Sequence, residues 1–324
     1  MSDQDFAFLA RRLLAENGYS MRAAAKAMHY DVAFLSRALN GKQRPSRKLA
    51  KALDDLVGAQ GALLGSVPSG DEHERVSRSA AEPSRIDQET VRALGRVLLA
   101  YRHLDDTARP ETLIPAVMAQ ARTTMAMLKE TRGRHWNALA TVASEYVQFA
   151  GWLKAQVRED AEAIALLDRA LEIADDINNG TLAAQALNFR GYLARQQGAP
   201  QAVARWFSAA AFTPGAHPAQ RLGDMLQAAA GMAAMNETQD ALHLLGRAEA
   251  LVDRAAAAPL PESAYWLTPA FNRLNMGLCA LELGRCDEAV DHFETGLAGL
   301  PREQQGAVWT GEHRAALQRA RQAR

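Results

Sequence analysis

The chain reads as an all-α protein in two parts: a compact helical bundle over residues 1–64 and a helical-repeat domain over residues 87–324. Three observations lead there. Of its 324 residues, 48% are hydrophobic but only 6% aromatic, so its cores draw on small side chains that suit closely packed helices. Residues 20–48, SMRAAAKAMHYDVAFLSRALNGKQRPSRK, read as two short helices around a tight turn, followed by a basic loop. From Asp87 onward, long helical stretches alternate with short breaks, and one spacing of small residues recurs.

The N-terminal elements follow in order. Asp3 can cap a helix that turns Phe6, Leu9, Leu13 and Leu14 to one face and stops at Asn17-Gly18. Ser20 caps a second helix and Asp31 a third. Ser46, just after Pro45, opens a fourth with Leu49, Leu53 and Leu56 as its apolar positions. The formal net charge of the whole chain is zero, yet residues 1–64 hold ten Lys/Arg against six Asp/Glu. Six of those bases (Arg37, Lys42, Arg44, Arg47, Lys48 and Lys51) follow one another without an acidic residue. A local basic stripe of this kind is the electrostatic footprint that phosphate binding needs. Residues 65–86, GSVPSGDEHERVSRSAAEPSRI, mix Gly, Pro, Ser and charge without periodicity. They read as a linker, a coil of roughly 25 Å root-mean-square span.

In the second part, four segments place a small residue, another twelve later and a third seven after that. The sets are Gly151/Ala163/Ala170, Gly191/Val203/Ala210, Ala229/Ala241/Ala248 and Gly277/Ala289/Gly296, with Val203 the one larger member. Small residues are needed where the two helices of a unit and the next unit approach closely. Residues 87–132 supply a further helical pair and 306–324 a terminal capping helix.

Composition also excludes. Cys279 and Cys286 are too few for a disulfide framework and lack the paired spacing of a zinc site, so they read as packing residues. No apolar run reaches the roughly 18 residues of a membrane span, and Arg11 and Arg12 interrupt any signal-peptide core. A soluble, cytoplasmic protein is expected. There is no glycine-rich phosphate loop, no GxSxG and no HExxH, and the eight histidines are scattered. Neither an enzyme nor a cofactor or metal site is expected.

Residues 6–58 resemble the Cro/cI-type helix-turn-helix family (the XRE regulators, with a lambda-repressor-like bundle). YDVAFLSRALNGKQRPS is similar to its recognition helix and following loop, especially in versions found ahead of TPR domains in actinobacterial regulators. That match covers about one-sixth of the chain. The segment LNMGLCALELGRCDEAVDHFETGLAGLP separately resembles a tetratricopeptide (TPR) repeat, with Gly284 at the inter-helix turn and Pro301 closing it. The first resemblance implies that Ala25 sits where two helices cross and that Leu35 and Leu39 face the core. Val32, Ala33, Ser36 and Arg37 then face outward. Val32 and Ala33 can meet a thymine methyl, and Arg37 can pair with guanine or bind a phosphate. The family's docking gives Asn40, Lys42, Arg44, Arg47 and Lys48 to the DNA backbone, where they set register and salt-dependent affinity. Two positions depart from its pattern. Met21 stands where a phosphate-clamping glutamine is common, leaving that contact to Arg22, and His29 stands at a turn position that favours glycine.

TPR units stack so that their first helices line a groove. The register predicts Glu145, Gln148, Trp152 and Gln156, then Gln185, Asn188, Tyr192, Arg195 and Gln196, on the inward side. Further along it predicts Leu226, Phe271, Leu274 and Leu278 there. The ligand-binding candidates are Gln148, Trp152, Gln185, Asn188, Tyr192 and Arg195, facing a signalling peptide or a small molecule, unless the polar face is merely solvated and the apolar end is buried by another protomer or repeat. The expected function is a homodimeric, sequence-specific regulator that binds a double-stranded operator, with no membrane partner. The alternative is a TPR interaction protein that sequesters another regulator without touching DNA.

Overall fold

The computed structural model describes residues 3–40, 43, 45–59, 63 and 86–324. Among these residues there are sixteen α-helices, two short 3-10 turns and no strand. The chain divides into two compact units, residues 1–78 and 79–324, each described below by itself. The division falls inside the stretch expected to be a linker, whose residues 65–85 lie outside the described ones.

The first unit contains α1 (Asp3–Glu16), α2 (Met21–Ala27), α3 (Val32–Leu39) and α4 (Arg47–Val57). Three of these begin on the side chains expected to cap them. Ser20 Oγ accepts from the Ala23 amide at 3.2 Å, Asp31 Oδ1 from Phe34 at 2.8 Å and Ser46 Oγ from Leu49 at 3.1 Å. Each such cap stabilises its helix by about 1 kcal/mol. Phe6, Ala10 and Leu14 meet Ala24, Ala25, Leu35, Ala38, Leu39, Leu49 and Leu53 in one core. Ala24 and Ala25 are fully buried, and a larger side chain at either would force α2 off its neighbours. His29, in the turn between α2 and α3, takes the left-handed backbone at φ 57°, the strained geometry expected of it.

The second unit opens with α5 (Gln88–Asp105) and α6 (Pro110–Glu130). Four helical pairs follow: α7 (Trp136–Gln156) with α8 (Asp160–Asp176), α9 (Gly180–Gln196) with α10 (Pro200–Phe212), α11 (Pro218–Ala234) with α12 (Thr238–Glu249), and α14 (Pro269–Glu282) with α15 (Cys286–Gly299). Between the last two pairs lie α13 (Val252–Ala257) and a 3-10 turn at Glu262–Ala264. A second 3-10 turn, Val308–Thr310, and α16 (Gly311–Gln322) end the chain. Successive helices pack against one another along the row, as in helical-repeat proteins.

The small-residue spacing has a direct cause. A Cβ at Gly151 would lie 2.9 Å from Leu167, at Gly191 2.7 Å from Phe207, and at Gly277 2.8 Å from Phe293. In each pair the larger residue comes sixteen positions later and packs on the helix backbone where the Cβ would be. Val203 is accommodated from the other side: a Cβ at Gly231, on the next unit, would meet its Cγ1 at 2.9 Å. A second periodicity accompanies the first. Arg158, Gly198, Asn236 and Gly284, each seven residues after the first small residue of its set, all take φ between 62° and 72° at the inter-helix turn. Among the described residues, no helix is long and apolar enough to cross a membrane.

Candidate functional site

The outward face of α3 follows from what the helix buries. Leu35, Ala38 and Leu39 are fully buried, which turns Val32, Ala33 and Arg37 to the surface and leaves Ser36 half-buried. Val32 remains 40% exposed, a large hydrophobe with no intramolecular reason to be outside. Arg37 Nε donates to Gln43 Oε1 at 3.2 Å, so the guanidinium is held over the start of the following loop. Asn40 Nδ2 donates to the Ser36 carbonyl at 2.8 Å and to Ser36 Oγ at 3.2 Å, closing the helix C-terminus. Arg22 and Lys48 are exposed. Lys42 and Arg44 lie outside the described residues, as does the side chain of Arg47. Met21 packs against the core of the unit, so its thioether is occupied in packing.

In the second unit, five of the six residues expected to bind a ligand line one cavity: Gln148, Trp152, Asn188, Tyr192 and Arg195. The cavity is small, about 70 Å³ in volume, and it opens to solvent at its mouth. The sixth, Gln185, is buried with its Nε2 3.5 Å from Ser263 Oγ and is not on that wall. Leu226, Leu274 and Leu278 correct the expected apolar groove. All three are packed in the hydrophobic core, because the faces assigned to a groove are covered by neighbouring helices. Phe271 does reach the cavity.

The opposing wall comes from segments far along the chain, namely Tyr265, Trp266, Phe271, Trp309, Glu312 and His313. Hydrogen bonds tie these walls together. The Tyr265 hydroxyl lies 3.0 Å from the Arg102 carbonyl and 2.9 Å from Asp106 Oδ2. Arg195 donates from Nε and Nη2 to both oxygens of Glu312, at 3.0 and 2.8 Å, and from Nη1 to Gln227. Gln196 adds a further bond to Glu312. Arg102 pairs with Glu145 at 2.9 Å.

Two carboxylates of this wall are held differently. Asp105 accepts from Trp152 Nε1 at 2.7 Å and from Gln156 at 3.1 Å, while Asp106 accepts from Tyr265 and from Gln304. Burial pushes Asp105 up to about 6 despite the hydrogen bonds from Trp152 and Gln156, with the neighbouring Asp106 charge adding to the rise. Burial also raises Asp106, against its hydrogen bonds and the charge of His103. Burial would raise Glu312 too, but the Arg195 charge, with that of His313 and the hydrogen bonds from Arg195 and Gln196, together outweigh it, and the carboxyl sits below its ordinary value. Burial holds His313 down at about 4, against the pull of Glu312, so this imidazole is neutral at pH 7. Behind the cavity wall, Asn188 Nδ2 donates to Asp224 at 2.6 Å and Gln220 donates to its other oxygen. Complete burial raises the Asp224 carboxyl to about 8.

A family model described as "Helix-turn-helix domain" matches residues 5–66. No curated protein matches the chain. The N-terminal unit carries a helix-turn-helix domain. The helix-turn-helix match supports DNA binding by this unit and transcription regulation by the chain.

Sequence reasoning reached the helix-turn-helix residues because they lie within thirty positions of one another. It missed the acids and five of the eight aromatic residues of the cavity. Asp105 and Asp106 stand at a helix end, and nothing local marks them as buried. The recurrent left-handed turn at Arg158, Gly198 and Asn236 was a usable signal, since it fixes the repeat register from which the inward faces follow.

Proposed function

We propose that the chain is a ligand-responsive transcriptional regulator. It binds a double-stranded operator as a homodimer through the XRE-type face of α3, and it senses a ligand with its TPR-like second unit. The observation that carries the first half is the exposed row of Val32, Ala33 and Arg37 on a helix whose opposite side is fully buried. That row, with Arg22, Ser36, Asn40 and Lys48 and, in the sequence that follows, Lys42, Arg44 and Arg47, supplies a few base contacts beside many phosphate contacts. One such head discriminates weakly, so a pair of heads on two half-sites supplies specificity. For the second half, a small cavity walled on one side by Tyr265, Trp309 and Glu312 favours a small molecule over an extended peptide. Ligand binding alters DNA affinity only to the extent that the ligand prefers one conformation of the dimer.

A gel shift of the full chain on the DNA upstream of its own coding region tests the reading. Binding should weaken with salt, and Arg37→Ala should reduce it by about 10- to 100-fold, the worth of one bidentate base contact. Binding indifferent to both salt and Arg37→Ala would refute the assignment of α3.

A further inference from the structure

The charges on the cavity wall do not balance. Arg102 is matched by Glu145 and Arg195 by Glu312. His313 is buried and neutral, so it brings no countercharge to the wall. That leaves Asp105 and Asp106, adjacent in sequence and both buried, whose hydrogen-bond partners among the described residues are all neutral: Trp152 and Gln156 for one, Tyr265 and Gln304 for the other. His103, exposed and with its ring packed on Tyr265 at 4.7 Å, favours the charged form of Asp106; Glu303 opposes it. Two buried carboxylates with no cation among their hydrogen-bond partners carry a desolvation cost that an incoming cation would relieve.

The rest of the wall is aromatic. Trp152 packs against Phe189 and Tyr192 at 4.9 and 4.7 Å, and Trp266 against Phe189 and Tyr265 at 5.8 Å each. Three of the chain's five tryptophans line this one cavity. Faces of Trp and Tyr beside carboxylates are the surroundings that recognise organic cations, through the ring quadrupole and the formal charge together. An independent sign of a missing ligand comes from two glutamines on the same wall: Gln148 Oε1 and Gln227 Nε2 are buried without a hydrogen-bond partner.

We propose that the cavity of the second unit binds a small organic cation, with Asp105 and Asp106 supplying the countercharge and the tryptophan and tyrosine rings enclosing its apolar body. This rests on the reading of the second unit as a sensor, and it is tested without DNA. The full chain is titrated with choline, with the anion 3,3-dimethylbutyrate and with the neutral 3,3-dimethylbutanol, following tryptophan fluorescence and calorimetry. Saturable binding of the cation is expected, at least ten times tighter than either of the other two. Asp105→Asn and Asp106→Asn, checked for retained helicity, should each weaken it by about tenfold or more. Equal binding of all three probes, no binding of the cation, or unchanged cation affinity in both folded variants would overturn the proposal. A gel shift of the unliganded chain separates the outcomes. DNA binding without cation binding leaves the regulator reading standing and removes this one; cation binding without DNA binding does the reverse.

Discussion

The two units put their chemistry on opposite sides of their cores. In the first, the core is complete with Phe6, Leu35, Leu39 and Leu53, and the candidate face is what remains outside: Val32, Ala33 and Arg37 on one short helix. In the second, the candidate groups are inside. Asp105 and His313 are buried and Arg195 and Glu312 half-buried among aromatic rings, and the bond from Gln304 to Asp106 joins residues 198 positions apart. An outward face costs the fold little, because its side chains have no structural partners to satisfy. An inward face must be stabilised at every polar atom, and where one is not, as at Gln148 Oε1 and Gln227 Nε2, a ligand has something to complete.

That contrast can be broken at several points. The largest effect is expected from Glu312→Ala, which strands the Arg195 guanidinium beside a neutral imidazole. Breaking a fully buried pair from one side costs about 3–5 kcal/mol; this pair is half-buried, so a loss between about 1 and 5 kcal/mol is expected, and chemical denaturation should show the second unit unfolding earlier. A loss under ~1 kcal/mol, the range of an exposed pair, would mean that the pair is solvated. Next comes Gly191→Val. Its new Cβ would lie 2.7 Å from the Phe207 ring, and the overpacking should cost about 1–3 kcal/mol in the second unit without changing DNA affinity.

A pH experiment probes the same interior. The folded state raises Asp224 to about 8 from an ordinary carboxylate value. The protonated form is therefore the one the fold favours. Its contribution is fully present below about pH 4 and is lost as pH rises towards and through 8. Thermal midpoints measured from pH 4 to 8 should fall in the wild type and fall less in Asp224→Asn. Parallel curves would show that this carboxyl ionises freely in the fold. Protonation also has a partner at hand: Gln220 Oε1 has none, and rotating that amide lets a protonated Asp224 donate to it.

The smallest effect belongs to the outer face. Lys48→Ala should leave stability unchanged and weaken DNA binding alike on all sequences. It should lower the salt slope by about 0.9, the share of one phosphate contact. A changed sequence preference instead would place Lys48 at a base edge.

Legibility in the sequence followed the same divide. Ser20, Asp31 and Ser46 announce three helix starts by local chemistry, and the spacing of Gly151, Gly191 and Gly277 announces helix contacts sixteen residues ahead. Five cavity residues were legible for the same reason, because a repeat register converts position into direction. Leu226, Leu274 and Leu278 were assigned wrongly since the register names a face but not what covers it. Asp105, Asp106 and Glu312 were invisible because their burial depends on Tyr265, Gln304 and Arg195, brought close only by the fold.

The central claim is that two α3 helices read two half-sites. Hydroxyl-radical footprinting of the full chain on the DNA upstream of its own coding region tests it most directly. The account predicts two protected patches with centres about 34 Å apart along the duplex, both lost in Arg37→Ala. A single patch, or protection that survives Arg37→Ala, would contradict it.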